Sequence, residues 1–269
     1  MRYLLIPVFV LVVIFSCKGK KEHEDTAEVS AADKLVNELV LRAEKYPDSL
    51  QLRLNLVNAL DSLRRYRDAL SHMQVILKKD SNNNSVWARN AQLLERNGDT
   101  ASAIESYLKS LSIYPDPNNQ LYLANLLAER KDPRALLVVN TVSKTQFDDE
   151  TLAHCDFIAG VYHARTGNMQ MAERLFNRCI THDRKYMVAY LEKGFLYFDR
   201  KRYRQALRIF QVAADVEPTY ADAFYWQGKT YEAMGKPQEA INVYRQAINL
   251  DPGLKEASAA ITRLAGQAI

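Results

Sequence analysis

The sequence repeats itself every 34 residues. When residues 221–254 are set beneath residues 187–220, Tyr190 falls over Phe224, Gly194 over Gly228 and Tyr197 over Tyr231. Further along, Ala206 falls over Ala240, Phe210 over Tyr244, Ala213 over Ala247 and Pro218 over Pro252. Seven coincidences of small, aromatic and proline residues at one offset identify an array of like units. Such units bury their apolar faces only against their neighbours, so the chain folds as a stack or not at all.

Each shared position has a steric reason. Small residues at Gly194 and Ala206 suit the close crossing of two helix backbones. The aromatics Tyr197 and Phe210 then fill the space above and below that crossing, and Ala213 leaves room for the next unit. Pro218 stops the second helix because it has no backbone N–H to donate. This set of positions resembles the tetratricopeptide repeat, over nearly the whole chain beyond its first 30 residues. The resemblance implies an all-α fold, a right-handed α-solenoid of about six helical hairpins with capping helices at both ends.

The period extends backwards with decay. Six repeats are placed at 50–83, 84–117, 118–152, 153–186, 187–220 and 221–254. Residues 153–186 keep Gly160, Ala172 and Phe176 but carry Asp156 where an aromatic is usual. Residues 118–152 match least well; the turn Lys131-Asp132-Pro133-Arg134 reads as about two residues short, with extra residues near 145–149 restoring the length. That repeat is expected to be a weak seam in the stack. Residues 31–49, with Leu35, Leu39 and Ala43 at helical spacing, read as the N-terminal cap, and 255–269 as the C-terminal one.

The N-terminus carries a different signal. Arg2 is followed by a nearly unbroken apolar run from Leu4 to Phe15, and polarity returns at Lys18. The run is shorter than the roughly 20 residues a spanning helix needs, and it fits the apolar part of a signal peptide over residues 1–16. Its end, Ile14-Phe15-Ser16-Cys17, resembles a bacterial lipobox. The resemblance implies cleavage before Cys17, a diacylglyceryl thioether on its sulfur and an acyl chain such as palmitate on the new amine. Two or three chains anchor firmly where one does not. By analogy with Gram-negative lipoproteins, Lys18 in place of Asp favours the outer membrane, more often its periplasmic face. Residues 17–30 read as a lipidated flexible tether.

Charge and chemistry-bearing residues exclude several classes. With 36 basic against 32 acidic residues, the net charge of +4 gives no nucleic-acid footprint. The densest basic runs, Arg64, Arg65, Arg67 and Arg200, Lys201, Arg202, Arg204, fall in turns and read as solvated loop charge. No catalytic constellation, metal site or cofactor motif is expected. Ser106 and Lys109 form a lone S-x-x-K, placed on an outer helix face, without a companion motif. Cys155, Cys179, His163 and His182 cluster in one repeat, but Cys179 takes the small-residue position of Ala213 and Ala247, as a buried thiol would. A Cys155–Cys179 disulfide stays open, since the periplasm is oxidising. Asp-Ser/Thr-aliphatic triplets at Asp25, Asp48, Asp61 and Asp99 resemble a bacterial O-glycosylation acceptor; capping explains most, leaving Thr26.

In this repeat family the first helix of each hairpin lines the inner surface, where peptides or partner helices bind. The alignment projects His154, Phe157, Val161 and Ala164 onto it, then Leu191, Phe195 and Phe198, then Asp222, Tyr225, Lys229 and Glu232. The first two repeats offer Gln51, Asn58, Asp61, Gln92 and Glu95 instead. Phe195 stands where a polar residue is usual. An exposed strip of Phe157, Val161, Leu191 and Phe195 would call for a partner, with Phe198, Tyr225 and Lys229 beside it. Curvature that buries these side chains against adjacent helices is the other reading. The family's carboxylate clamp is not expected, because Leu54 replaces its Lys. The expected function is a non-enzymatic protein-binding scaffold for an envelope assembly or secretion complex. The alternative is a ligand-capturing lipoprotein partnered with a nutrient transporter.

Overall fold

The computed structural model describes residues 22–145 and 148–266, with side chains from residue 31 onward. Cys17 and the apolar run before it lie outside the described residues. All regular structure among the described residues is helical. The elements are α1 (Glu22–Lys45), α2 (Leu50–Ser62), α3 (Tyr66–Lys79), α4 (Asn84–Arg96), α5 (Thr100–Ile113), α6 (Pro117–Glu129) and α7 (Arg134–Thr145). They continue with α8 (Asp149–Arg165), α9 (Met169–His182), α10 (Met187–Phe198), α11 (Tyr203–Val216), α12 (Ala221–Ala233), α13 (Pro237–Leu250) and α14 (Lys255–Gly266). From α2 to α13 the helices alternate as first and second members of hairpins. The chain divides into two compact units, residues 1–78 and residues 79–269.

In the first unit, α1 begins nine residues before the expected cap, so residues 22–30, read as part of the flexible tether, are helical backbone. Val36, Leu39 and Ala43 form its buried stripe, while Leu35, assigned inward by period, is 52% exposed. Pro47 cannot continue the helix, and Ser49 then caps α2 by accepting from Leu52 N. Arg53 on α2 meets His72 Nδ1 on α3 at 3.3 Å.

In the second unit, helix starts are set by capping side chains. Asn83, Asp99, Asp116, Asp148 and Asn168 each accept from a backbone N–H in the first turn of α4, α5, α6, α8 and α9. Asp99 and, in the first unit, Ser49 therefore act as caps within their triplets.

The turn inside each hairpin has one geometry throughout the chain. A residue in the left-handed region, at Arg64, Gly98, Lys131, Gly167, Lys201 and Gly235, is followed by an N–H that bonds back five residues. This is the glycine-type helix terminator, used three times without glycine. The turn at Lys131 is not shortened. What differs in that hairpin is α7, with 12 residues where α5, α9, α11 and α13 have 14, and then α8, which begins at Asp149 and runs for 17 residues.

The core of the second unit follows the repeat. Ala103, Ala135, Ala172, Ala206 and Ala240, at the helix crossings, are fully buried. The glycines serve another purpose than the one inferred from the pattern: they accommodate aromatic rings of the second helix. A Cβ on Gly160 would lie 2.6 Å from Phe176 Cε1, and one on Gly228 2.5 Å from Tyr244 Cδ1; Gly194 meets Phe210 in the same way. Within residues 118–152, expected to be a seam, the two helices differ. Leu121, Leu123, Ala124, Leu126, Leu127 and Ala128 of α6 are all core, and only α7 is sparsely buried, at Ala135, Val139 and Val142.

Candidate functional site

An open cleft of about 400 Å³ lies between α6 and α8 on the face formed by first helices. Asn118, Leu121, Tyr122 and Asn125 line it from α6; their spacing of three and four places them on one helical face. Glu150, Thr151, His154, Phe157 and Ile158 line it from α8, and Tyr186 closes the end before α10. The early start of α8 is what brings Glu150 and Thr151 to the mouth.

One wall is aromatic. Tyr186 packs on Phe157 with ring centroids 5.0 Å apart and edge-on to His154 at 5.1 Å, while Phe157 leans on Phe176 at 6.0 Å. Burial, with Cys179 and Asp183 nearby, pushes the Tyr186 hydroxyl well above its usual range, so it stays protonated. His154 Nδ1 lies 2.8 Å from the Glu150 carbonyl oxygen. A carbonyl only accepts, so Nδ1 carries a proton and donates it. Tyr122, stacked on Tyr107 at 6.1 Å, is 49% exposed. The side-chain amides of Asn118 and Asn125 make no intramolecular hydrogen bond among the described residues. Paired donors and acceptors beside an aromatic wall suit an extended polypeptide, whose backbone presents both groups at every residue.

The expected strip is divided. Phe157 is half-buried and lines the cleft. Val161 and Leu191 are 1% and 7% exposed, so they are core rather than groove. The reason is that α6 and α10 both pack against α8, and Leu191 is also held with Ala206 and Phe210. Phe195, Phe198 and Tyr225 gather around Trp226, at 4.4, 5.8 and 5.6 Å, in a separate half-buried cluster. Lys229 is half-buried on the same helix as Trp226. Tyr122, Asn118, Asn125, Tyr186 and Trp226 were not projected from the sequence. The first three were hidden because residues 118–152 were aligned one residue late; the turn at Lys131, one short of the 34-residue step from Gly98, carries that signal.

Beyond the cleft an arginine ties three first helices together. Arg165 at the end of α8 donates Nε and Nη2 to Glu129 of α6 at 2.8 and 3.0 Å. It also donates Nη1 and Nη2 to Glu192 of α10, both at 2.9 Å. Two bidentate pairs on one guanidinium hold its charge firmly and fix the spacing of the cleft-bearing helices.

The remaining candidates resolve into packing. Ser106 is buried, not on an outer face, and accepts from Asn90 Nδ2 at 2.9 Å, so the S-x-x-K pair is split between core and solvent. Cys155 and Cys179 are buried free thiols, and burial pushes Cys155 up to about 11. Asp156 is buried, 3.0 Å from Arg178 and 3.8 Å from His182; burial raises its pKa despite both neighbours.

Residues 54–118 and 221–254 match two families, both described as tetratricopeptide repeat. Over those two stretches the chain is similar to the tetratricopeptide repeat. Its fold is similar to that of a tetratricopeptide repeat protein from Parabacteroides merdae, with a TM-score of 0.71 at 16% identity over 91% of this chain and 96% of that one. It is also similar to PilW, a widely conserved type IV pilus biogenesis factor, with a TM-score of 0.60 at 19% identity over 80% of this chain and 99% of that one. At such identities the likeness establishes the fold of the repeats. A search of curated proteins gives no match. Proteins built from tetratricopeptide repeats are typically non-catalytic and bind proteins or peptides, and no catalytic family matches this chain.

Proposed function

We propose that the chain is a lipid-anchored scaffold that holds an extended segment of a partner protein in the cleft between α6 and α8. The observation that carries the binding reading is the cleft itself, in which the amides of Asn118 and Asn125 face the aromatic wall of His154, Phe157 and Tyr186. The anchor rests on the apolar run ending in Ser16-Cys17, acylated on Cys17. An outer-membrane location, on the periplasmic side, and service to an envelope assembly complete the reading. Capture of a small nutrient needs long loops to build a pocket, and the turns within the described hairpins are only three or four residues long.

The test has two arms. Labelling with a palmitate analogue should mark wild type and not Cys17→Ser. From solubilised membranes, Tyr122→Ala/Asn125→Ala should lose proteins that wild type retains while its helical signal is unchanged. Label on Cys17→Ser overturns the anchor; an unchanged set of retained proteins overturns the cleft.

A further inference from the structure

The basic run Arg200, Lys201, Arg202, Arg204 is left unused by the cleft, and its setting gives it a role. Arg200, Lys201 and Arg202 occupy the turn between α10 and α11, where Lys201 sits at φ 61°, and Arg204 follows in the first turn of α11. All four residues are exposed. Among the described residues none is within ion-pair distance of a carboxylate; Arg200 Nη1 meets only the Leu196 carbonyl at 3.2 Å. Asp199 is the acid within the turn, and the nearby Glu173 is taken by the Tyr197 hydroxyl at 2.5 Å. Two shallow clefts flank the turn. One joins Arg200 and Arg202 to Met169 and Gln170 of the preceding hairpin, the other joins Lys201 and Arg204 to Met234 of the following one. The turns of α8/α9, α10/α11 and α12/α13 therefore lie side by side along one edge.

That edge carries more basic than acidic residues, and the opposite one more acidic than basic. Arg130, Lys131 and Lys236 occupy the equivalent turns of other hairpins, beside Asp99 and Asp132, and Lys236 pairs with Glu239 at 3.6 Å. In the second unit the turns between hairpins, at the other end, carry Asp116, Asp148, Asp183, Glu217 and Asp251, against Arg184 and Lys185. An excess of cations on one edge, opposed by an excess of acids on the other, orients a particle in the field of an anionic surface.

We infer that the edge centred on Arg200–Arg204 docks on anionic phospholipid headgroups. The inference rests on the proposed anchor at Cys17 only for its concentration effect. A chain already held at the bilayer needs little further attraction to settle one edge on it. The cleft between α6 and α8 lies on the helix faces, not on this edge, and stays open to a partner.

The experiment uses the full acylated chain with vesicles of phosphatidylcholine, alone or mixed with phosphatidylglycerol. Flotation reports attachment, and hydrogen exchange of residues 199–204 reports docking. Attachment to both vesicles, with exchange slowed several-fold only on the anionic ones and restored by high salt, is the expected result. The variant Arg200→Glu/Arg202→Glu/Arg204→Glu should attach equally, keep its helical signal and lose the slowing. Equal exchange on both vesicles overturns the inference and leaves the anchor standing. Salt-sensitive flotation with anionic vesicles alone supports the edge and overturns the anchor. Slowing reproduced by inorganic phosphate without vesicles overturns the membrane as occupant.

Discussion

Trp226 stands edge-on to Phe195, ring centroids 4.4 Å apart and planes at 61°. Phe195 also meets Phe210 at 5.9 Å, so it is clasped between its own hairpin and the next. The aromatic that departs most from a polar groove is thus an inter-repeat contact. Phe195→Ala should lower stability by about 3 kcal/mol, the loss expected for a packed phenylalanine. Thermal unfolding of the variant checks this, and a melting temperature equal to wild type would show that the clasp carries no stability.

The tightest fit in the core is that of the glycines against second-helix rings. Gly194→Ala would drive its methyl into Phe210, and helix propensity, which favours alanine by about 1 kcal/mol, cannot offset the displacement. A net loss of about 1–3 kcal/mol is expected. Gly266→Ala, at the end of α14 with open space around it, serves as the control and should not destabilise.

Arg64 holds φ 57° at a position where Gly98, Gly167 and Gly235 serve in other hairpins. A left-handed conformation costs a non-glycine residue about 1–2 kcal/mol, and the greater freedom of glycine in the unfolded chain offsets part of its relief. Arg64→Gly should therefore raise stability by up to about 1 kcal/mol. A fall in melting temperature would mean that the arginine side chain contributes more than the strain.

Asp156 gives the chain a pH dependence of defined sign. Burial raises its folded-state pKa, with Arg178 and His182 opposing. The folded state therefore holds this proton at higher pH than the unfolded state, and the penalty on the carboxylate is present at neutral pH. It is relieved as pH falls through the raised value. Asp156→Asn should raise the melting temperature at pH 7, with the gain shrinking toward the acid range. A variant less stable than wild type at pH 7 would show that the ion pair with Arg178 outweighs burial.

The fold was legible because the small and aromatic positions of a helical hairpin, such as Gly194, Ala206 and Phe210, recur at fixed steps. Half of the site was not. Phe157 could be placed because α8 keeps Gly160 sixteen residues before Phe176. Tyr122 and Asn125 could not, because α6 is one residue out of step and its leucines fit several registers. Exposure was legible least of all. Whether Val161, Leu191 or Phe195 meets water depends on how closely successive first helices approach, and that is set by residues such as Trp226, Arg165, Glu129 and Glu192 on different hairpins. A single repeat does not contain that information.

The most direct test of the binding account places a photo-crosslinking residue at Tyr122, in the cleft, and separately at Leu137, which is 67% exposed on the second helix α7. Irradiation of membranes should give a discrete protein adduct from position 122, diminished by Asn125→Ala, and none from position 137. An adduct from position 137 of equal yield, or none from position 122, would contradict the assignment of the cleft as the partner's seat.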